Sequence, residues 1–387
     1  MIVVSHPTGN AFVRALLEGL EKEGRLERFF TTLVTGRRRT YPIPAKQIET
    51  SPSRELTRLA LERLRTPLTR HETGWASVDG VYRALDKRVA EWLLNRTEQR
   101  GIEWVYGYED GALETFRAAR EVGVRRAYEL PIAYWETTRR LLQEEAARLP
   151  EWEPTLGSTR DSEEKMRRKT EELELADRVI CPSRFVLESL PPQARGRCVV
   201  APFGSPSSEG GRARSGKAVL RVLFAGAMSQ RKGLADLFQA MKLLRRPDIQ
   251  LVVMGTAIAP MEFYRKHYDG FIHEAPRSRE GVLALMASCD VLALPSIVEG
   301  RALVQQEAMS RGLPLVVTRN AGGEDLIEEG RTGFLVPIRA PEEIVARLEL
   351  LADDRGLLEA MSEAARRKAA EYTWEAYAAG ISAALSP

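Results

Sequence analysis

The most constraining feature of the sequence is a pair of short apolar runs on either side of one helical segment. Residues 289–296 read CDVLALPS and residues 314–320 read PLVVTRN. Apolar runs of this length, bounded by proline and glycine, are typical of buried parallel strands. The segment between them, roughly residues 302–311, has the pattern of a short helix that Gly312 and Pro314 end. Together they form a βαβ unit, which predicts an α/β protein.

Two glutamates belong to this unit. Glu299 follows the first strand, and Glu307 lies eight positions later in the helix. Ligands of open α/β sheets bind outside the carboxyl ends of the strands, where the Glu299 loop is expected. A carboxylate accepts two vicinal hydroxyl donors at once, as sugars and riboses offer them. The backbone N–H groups of residues 301–304 open the helix and suit a phosphate. Spacing alone leaves open whether both are ordinary surface glutamates.

The residues around this unit resemble a known enzyme family. The run EGRALVQQEAMSRGLPLVV, with CDVLALPS before it and AGGEDLIEEGRTGFLV after it, is similar to the retaining glycosyltransferases of family 4. The resemblance is strongest over residues 219–336. It implies the GT-B architecture, in which two Rossmann-like domains with parallel sheets face each other across a cleft. It also implies that Glu299 contacts the donor sugar and Glu307 the nucleotide ribose.

A second motif precedes this unit. Residues 219–225 predict a strand, residues 226–232 a loop and residues 233–244 a helix, so Arg231 and Lys232 stand just before a helix N-terminus. The positive end of the helix dipole and two cations favour a diphosphate. The resemblance makes Lys232 the lysine that holds the donor diphosphate. The family arginine is Ala227 here, and we expect Arg231 to substitute for it.

The resemblance extends the donor site to further positions. We expect the nucleobase near Gly255 and residues 273–275. Where the family often has Phe-Gly after the first Glu-Gly, this chain has Arg301 and Ala302. Ala302 permits close backbone approach, and Arg301 is expected to face donor or acceptor. The expected donor-binding residues are Gly9, Gly226, Arg231, Lys232, Gly255, His273, Glu274, Ala275, Glu299, Gly300, Arg301, Ala302, Leu303, Val304 and Glu307, with Glu299, Lys232 and Arg231 as catalytic residues.

The first half of the chain supplies the acceptor candidates. Short apolar runs at residues 1–4, 104–107 and 126–130 predict strands whose following loops share one edge of a sheet. An aromatic ring beside carboxylates suits a sugar, which has an apolar face and a rim of hydroxyls. Many family members carry a histidine in the loops after residues 104–130, and this chain has none there. The acceptor-side candidates are His6, Asn10, Glu109, Asp110, Glu129, Tyr134 and Trp135.

The composition of residues 204–217, rich in serine and glycine, predicts a linker between two domains. The expected first domain covers residues 1–203 and binds the acceptor, and the second covers residues 218–372 and binds the donor. The last segment, about residues 373–387, is expected to return to the first domain as a helix, as in the GT-B fold. A chain of 387 residues is long enough for two complete cores.

Composition and charge indicate where in the cell the protein is expected to act. A membrane-spanning helix needs about eighteen consecutive apolar residues, and no apolar run in the sequence is nearly that long. No signal peptide is evident either. Three cysteines, far apart in the sequence, argue against a disulfide framework or a zinc site, so a cytoplasmic location is expected. Residues 25–70 carry eleven basic and four acidic side chains. This excess indicates a peripheral contact with the inner face of the membrane, a site for an anionic acceptor, or a solvated basic surface. A net charge of +3 does not indicate nucleic acid.

The sequence therefore predicts a retaining glycosyltransferase that uses a nucleoside-diphosphate sugar, most simply a UDP- or GDP-sugar. The acceptor, whether glycan, lipid-linked or small molecule, stays open. The chain has no D-x-D motif, so neither a metal nor another cofactor is expected. The resemblance implies that the leaving phosphate takes the acceptor proton. The alternatives are a nucleotide-sugar epimerase or hydrolase with His6, Glu109 and Asp110 as acid/base groups, or an inactive sugar-nucleotide-binding protein, which Ala227 and Arg301 suggest.

Overall fold

Two parallel β-sheets, each flanked by helices, make up the chain. The computed structural model describes residues 1–34, 41–61, 64, 66–95, 101–157, 161–207 and 219–386. All strand pairs in both sheets are parallel. This arrangement confirms the predicted α/β class with two Rossmann-like sheets.

The first sheet has seven strands in the order β3-β2-β1-β4-β5-β6-β7. They are β1 Ile2–Ser5, β2 Leu26–Thr31, β3 Ile48–Thr50, β4 Trp104–Tyr108, β5 Arg125–Glu129, β6 Arg178–Cys181 and β7 Cys198–Val200. The α-helices between them are α1 Ala11–Lys22, α2 Pro52–Ala60, α3 Val78–Leu94, α4 Leu113–Glu121, α5 Trp135–Arg148, α6 Glu163–Leu175, α7 Arg184–Ser189 and α8 Pro192–Arg195. Strand order reverses at β1, which places the β1 and β4 loops at the switch point where ligands bind.

The second sheet has six strands in the order β10-β9-β8-β11-β12-β13. They are β8 Leu220–Ala225, β9 Ile249–Met254, β10 Phe271–Glu274, β11 Val291–Leu294, β12 Leu315–Thr318 and β13 Gly333–Val336. The helices are α9 Leu234–Leu244, α10 Met261–His267, α11 Arg279–Ala287, α12 Leu303–Ser310, α13 Pro341–Asp353, α14 Arg355–Ala370 and α15 Trp374–Ala384. The helix predicted over residues 302–311 is α12, and the flanking apolar runs form β11 and β12.

The strands are buried because both faces of each sheet are covered by helices. Every residue of β1, β11 and β12 is buried, which explains why their sequences are continuous apolar runs rather than alternating ones. The core of the second sheet is one cluster that includes Leu223, Val252 and Val316. The first sheet has a separate cluster on each face.

The last helix, α15, packs against α1 of the first sheet's layer. A Cβ atom on Gly19 would lie 2.7 Å from the Cβ of Ala378, so the two helices meet closely at this glycine. The Arg25 guanidinium donates to the carbonyl oxygens of Ser382, at 2.8 Å, and Leu385, at 2.7 Å. The chain therefore passes between the two sheet layers twice. Residues 208–217 of the expected linker lie outside the described residues.

A short segment of the first half is also embedded in the second half. The turn Pro150–Thr155 follows α5 and carries Trp152, which is 1% exposed. The Trp152 ring contacts those of Phe263, Tyr264 and Phe238 at centroid distances of 4.9, 5.9 and 6.0 Å. These three rings belong to the layer of the second sheet. Trp152, from the first half of the chain, is therefore part of the hydrophobic core of the second half.

Two of the three cysteines are neighbours in space. The sulfur atoms of Cys181, at the end of β6, and Cys198, at the start of β7, lie 3.3 Å apart, and both are free thiols. Seventeen positions separate them in the sequence, so linear spacing was a poor guide to their proximity. Among the described residues, no helix combines the length and the apolar character needed to cross a bilayer.

Candidate active site

The three predicted catalytic residues meet at one point. The Oε1 atom of Glu299 accepts a hydrogen bond from Nζ of Lys232 and lies 3.0 Å from a terminal nitrogen of Arg231. Glu299 is in the loop after β11, and Arg231 and Lys232 are in the turn Gln230–Lys232 between β8 and α9. Because β8 and β11 are adjacent in the sheet, their carboxyl ends bring the two loops together.

The two cations determine the charge of the Glu299 carboxyl. Burial alone would raise its pKa, but Lys232 and Arg231 more than offset this effect and lower the pKa below the ordinary value. Glu299 is therefore ionised at neutral pH, although it is only 9% exposed. Its backbone N–H donates to the carbonyl oxygen of Asn320 at 3.1 Å, which fixes the loop to the end of β12.

Two glycines allow the strand ends beneath these cations to come close together. Gly226 has a φ of +145°, and a Cβ on it would lie 2.8 Å from the Lys232 side chain. Gly255 has a φ of +155°, and a Cβ there would lie 1.8 Å from the Gly226 carbonyl oxygen. Both positions thus require glycine, and Lys232 is held over the end of β8 as a result.

The start of α12 offers open backbone donors. Ala302, Leu303 and Val304 begin this helix, which has neither a side-chain cap nor an acidic residue in its first turn. The N–H of Ala302 donates to the carbonyl oxygen of Ala321. The N–H groups of Leu303 and Val304 have no intrahelical acceptor, because the first turn of an α-helix lacks one. They remain available to an anion.

The start of α9 differs from the sequence-based interpretation. We expected its N-terminus to support the diphosphate together with Arg231 and Lys232. Instead, Oε1 of Gln230 accepts the N–H of Ala235 at 2.9 Å, and the Ser229 carbonyl oxygen accepts that of Leu234 at 3.4 Å. The buried Gln230 side chain therefore caps this helix. The groups of this turn that are left to bind a diphosphate are the side-chain cations of Arg231 and Lys232.

Glu307 is one helical turn from Leu303, on the same face of α12. It is half-buried, and burial raises its pKa, with a small opposing effect from Arg279. The structure gives its carboxylate no hydrogen-bonding partner among the described residues. An acceptor in this state suits a ligand that brings hydroxyl donors.

The expected base-binding residues lie together at the end of β10. The backbone N–H of Gly255 donates to the Glu274 carbonyl oxygen at 3.1 Å. The His273 ring nitrogen Nε2 is 3.2 Å from the Gly255 carbonyl oxygen. The Glu274 carboxylate pairs with Arg277, and Ala275 is exposed.

Arg301 is oriented differently from our expectation that it faces donor or acceptor. Its guanidinium donates to Oε1 of Gln306 at 2.9 Å and to Asp325 at 2.6 Å, and it lies over the Tyr372 ring. The residue is 4% exposed. The guanidinium is bonded to these partners, and these bonds hold the loop in place. The residue of this loop that contacts the first half of the chain is the preceding Gly300.

The Gly300 loop contacts the first sheet's layer through backbone atoms. A Cβ on Gly300 would lie 1.7 Å from the carbonyl oxygen of Pro131, in the loop after β5. The Ser183 hydroxyl, at the start of α7, donates to the Gly300 carbonyl oxygen at 2.6 Å. Gly322 packs against Gly300 from the other side. No sequence motif indicates these contacts, because their partners are far apart in the chain.

Two acceptor-side candidates are buried beneath the loops that follow β1 and β5. His6 is fully buried, and burial lowers its pKa to about 3. Burial also raises the pKa of Glu129 to about 8, and its Oε2 lies 3.7 Å from Nε2 of His6. Both groups are therefore uncharged at neutral pH. Gly9 is half-buried and Asn10 exposed in the loop above them.

The remaining acceptor candidates are engaged by α6. Glu109 pairs with Lys169 at 3.0 Å, and Asp110 lies 3.4 Å from the same Lys169 nitrogen. The Tyr134 hydroxyl donates to Oγ1 of Thr170 at 3.3 Å, and the Trp135 indole nitrogen donates to the same oxygen at 3.1 Å. These bonds hold the β4 and β5 loops onto α6.

One group of side chains in the described residues has the geometry of possible metal ligands. Ligand atoms of His71, Glu72 and Asp161 lie within 4.8 Å of one another. However, Lys165 approaches Asp161 to 3.4 Å, and Glu72 accepts the backbone N–H of Ser162. A lysine ammonium thus already supplies positive charge here, and the group ties residues 71–72 to the start of α6.

Comparison with known proteins identifies the half of the chain that carries Glu299, Glu307, Arg231 and Lys232. Residues 215–368 match the family model described as glycosyl transferases group 1. The match covers about two fifths of the chain. The resemblance predicted from the sequence motifs is therefore confirmed for this half, which we call the group 1 domain.

Curated relatives match over part of their length. The D-inositol 3-phosphate glycosyltransferase of Paenarthrobacter aurescens is 32% identical over 169 residues, which cover 41% of either chain. The sulfoquinovosyl transferase SQD2 of Arabidopsis thaliana is 43% identical over 93 residues, 23% of this chain and 18% of that one. The chain thus spans about two fifths or less of the length of these relatives.

Solved structures match over nearly the whole chain. A sucrose-phosphate synthase from Thermosynechococcus elongatus superimposes with a TM-score of 0.69 at 17% identity, covering 99% of this chain and 97% of that one. Anabaena Alr3699/HepE, solved in complex with UDP and glucose, gives 0.65 at 16% identity, covering 99% and 98%. At these identities the match establishes the fold, which is GT-B, with the group 1 domain as its second half.

Proposed function

We propose that the protein is a retaining glycosyltransferase that moves a sugar from a nucleoside-diphosphate sugar to an acceptor hydroxyl. The observation that carries the proposal is the Glu299 carboxylate, ionised between Lys232 and Arg231. The open N–H groups of Leu303 and Val304 add anion-binding donors at the start of α12. Cations, backbone donors and a carboxylate are the groups that a diphosphate and sugar hydroxyls require.

The difficult step is departure of the nucleoside diphosphate from the anomeric carbon. As the bond from this carbon to the phosphate oxygen breaks, negative charge grows on the phosphate, and Arg231, Lys232 and the α12 donors stabilise it. The acceptor oxygen bonds to the same face of the anomeric carbon, and its proton passes to the leaving phosphate oxygen. Glu299 orients the sugar and Glu307 the ribose. The reaction as proposed needs neither a protein base nor a divalent metal.

A UDP-sugar is the donor that we propose first. Support comes from the similar fold of Anabaena Alr3699/HepE, solved with UDP and glucose. A GDP-sugar is the second choice. Because the curated relatives match over less than half of their length, their acceptors are not carried over to this chain.

The epimerase or hydrolase alternative requires acid and base groups open to the cleft. His6 and Glu109 are buried, and Asp110 lies among the cations of α6. Their placement favours transfer over either alternative. Incubation of the donor without any acceptor separates these functions, since an epimerase or hydrolase consumes the donor alone.

The donor site is tested by calorimetry and thermal shift with UDP-, GDP-, ADP- and dTDP-sugars. We expect one nucleotide to bind selectively and its affinity to fall in Lys232→Ala and Glu307→Ala. The control is Lys242→Ala, an exposed lysine on α9. Binding that survives in both site variants contradicts the assignment. Added EDTA is expected to leave turnover unchanged.

We also propose that one face of the first half meets a membrane surface. Helix α2 turns Leu56 and Leu59 outward, 52% and 40% exposed, while Glu55 is buried. In the same helix, Arg54 donates to the carbonyl oxygens of Trp75 and Gly80. Helix α2 ends at Ala60, and several predicted basic residues lie outside the described residues, namely Arg37, Arg38, Arg39, Arg63 and Arg65.

Further apolar side chains extend this face, which we call the α2 face. It comprises Leu56, Leu59, Leu64, Leu68, Trp75 and Val78, all at least 40% exposed. A groove of about 590 Å³ beside it is lined partly by Arg58 and Arg70. Exposed leucines in a segment with eleven basic and four acidic residues suit an anionic lipid surface.

Co-sedimentation with lipid vesicles tests the α2 face. We expect binding to phosphatidylglycerol vesicles, little binding to phosphatidylcholine, and a loss of at least about fivefold in a Leu56→Asp, Leu59→Asp double variant, because buried apolar area contributes to membrane binding. Leu243→Asp, an exposed leucine on α9, is the matched control. Equal binding by the wild type and the double variant excludes the α2 face as the contact.

A further inference from the structure

The turn that presents Arg231 and Lys232 is bound from behind by residues of the first half. Gln230, its first residue, is fully buried. Its backbone N–H donates to Oγ1 of Thr155 at 3.1 Å, and its side-chain nitrogen donates to Oε2 of Glu145 at 2.8 Å. Thr155 and Glu145 belong to the turn after α5 and to α5 itself. Two hydrogen bonds therefore cross from the first half to the base of this turn.

The Gln230 amide has a single orientation because carboxylates accept on one side and a backbone donor binds on the other. Its nitrogen also donates to Asp236 at 2.7 Å, and its oxygen accepts the N–H of Ala235. Arg148 bridges the same two carboxylates, at 2.7 Å from Glu145 and 2.9 Å from Asp236. All donors and acceptors of the amide have partners, as a buried polar network requires.

The loop that carries Glu299 rests on the same part of the first half. The N–H of Ile297 donates to the Arg231 carbonyl oxygen at 2.9 Å, which joins this loop to the cation turn. Ile297 and Val298 pack in a buried cluster with Leu142 and Leu156. Both components of the candidate diphosphate site, the cations and the Glu299 loop, thus share one support.

We propose that residues 135–155, which we call the clamp, position the Arg231–Lys232 turn for the donor diphosphate, with Gln230 and Thr155 as positioning residues. This inference rests on the proposed function. Arginine and lysine have many rotamers, and a fixed backbone reduces the entropy that is lost when they close on a phosphate. A turn without its rear hydrogen bonds would place the two cations less accurately. The clamp therefore makes part of the first half a component of the donor site.

The test compares nucleotides with two phosphates and with one. Thr155→Val removes one hydrogen-bond acceptor at nearly constant shape, and Gln230→Met removes the amide. We expect each variant to raise the Kd for UDP about five- to tenfold, as the loss of a hydrogen bond of about 1 kcal/mol or slightly more implies, and the Kd for UMP by less than about twofold. Calorimetry measures both, with GDP and GMP in parallel.

The control is Glu188→Gln, which removes another polar contact between the halves. Glu188 pairs with Arg319 at 2.7 Å and does not contact the cation turn. We expect it to leave both affinities unchanged. If Gln230→Met fails to fold, the nearly isosteric Thr155→Val carries the test alone.

Four outcomes would overturn the inference. Equal losses for UDP and UMP, or a lower Tm with unchanged affinities, would give the clamp a merely structural role. Wild-type protein that binds neither UDP nor GDP would remove the proposed function and this inference together. Unchanged UDP affinity in both variants would remove this inference alone.

Discussion

Glu299 combines burial with ionisation, and this combination depends on its neighbours. An unpaired buried carboxylate would cost several kcal/mol, so it would bind a proton instead. Lys232 and Arg231 prevent this by lowering its pKa. The same arrangement holds both cations in place before any donor arrives. In the proposed function, a diphosphate would compete with Glu299 for them, which would link donor binding to the release of the carboxylate towards the sugar.

Glu299→Gln keeps the shape of this residue and removes its charge. We expect UDP to bind at least as tightly as to the wild type, because the cations lose a competitor, while turnover falls about a hundredfold or more, as with other lost transition-state contacts. Calorimetry and single-turnover assays measure the two effects. Glu363→Gln, on the exposed surface of α14, is the control. Weaker UDP binding with normal turnover would contradict this role.

The buried pair of His6 and Glu129 makes stability depend on pH. The pKa of Glu129 is raised from 4.5 to about 8, so between these values the folded protein holds a proton that the unfolded chain releases. The free energy of unfolding therefore falls as pH rises through this window. His6 has the opposite effect only below its ordinary pKa of 6.5. Tyr106 and Tyr377 also adjoin Glu129, but their pKa values are raised well above 10.0.

Between pH 6.5 and about 8, then, Glu129 is the member of this group that titrates. We expect the Tm of Glu129→Gln, relative to the wild type, to rise by a few degrees over this range, roughly the effect of 1–2 kcal/mol. Thermal unfolding at half-unit pH steps measures it. Glu103→Gln, a half-exposed carboxylate, serves as the control. A constant difference in Tm would mean that Glu129 is already ionised in the folded protein.

At the scale of elements, the contact between α1 and α15 depends on one small residue. Gly19 allows the helices to approach until a Cβ at this position would lie 2.7 Å from that of Ala378. In an isolated helix, alanine would be more favourable than glycine by about 1 kcal/mol. Packing therefore outweighs helix propensity at this position. Glycine destabilises α1 itself, but it allows α15 to pack against the layer of the first sheet.

Gly19→Ala and Gly380→Ala form a matched pair. We expect Gly19→Ala to lower the free energy of unfolding by about 1–3 kcal/mol through overpacking. Gly380→Ala lies on α15, where no atom is within 4 Å of the added Cβ, and should raise it by roughly 0.5–1 kcal/mol. Urea denaturation measures both changes. Stabilisation by both substitutions would show that α1 and α15 separate readily.

The elements themselves were largely predictable from the sequence, and for a physical reason. Strands buried on both faces are continuous apolar runs, so β8, β11 and β12 were evident, and Gly312 marked the end of α12. The proximity of Glu299 and Lys232 was predictable, because adjacent strands bring their loops together. Contacts between distant segments were not, since no local pattern pairs Gln230 with Glu145. Arg301 was misplaced for the same reason, because its partner Asp325 is 24 positions away.

For the whole molecule, the two halves are joined by more than a linker. Helix α15 returns to the first half, and the clamp places Trp152 in the core of the second. A core aromatic residue typically contributes about 3–5 kcal/mol relative to alanine. The halves should consequently unfold together rather than as independent units.

Trp152→Ala tests this coupling. We expect calorimetry to show one unfolding transition for the wild type, and for the variant either a much lower Tm or two transitions, because the clamp no longer completes the second core. Trp75→Ala, a 45% exposed tryptophan, is the control. Two separate transitions in the wild type would contradict the coupling.

The position of Trp152 also bears on how such chains can be recombined. A chimera joined within residues 204–217 would replace the second half but keep the original Trp152. This ring would then face a foreign core without the aromatic residues that fit it. The unit that can be transplanted is the second half together with residues 135–155. Over evolutionary time, substitutions in Phe238, Phe263 or Tyr264 would have to be matched by changes in a segment more than eighty positions earlier, which restricts the independent divergence of the two halves.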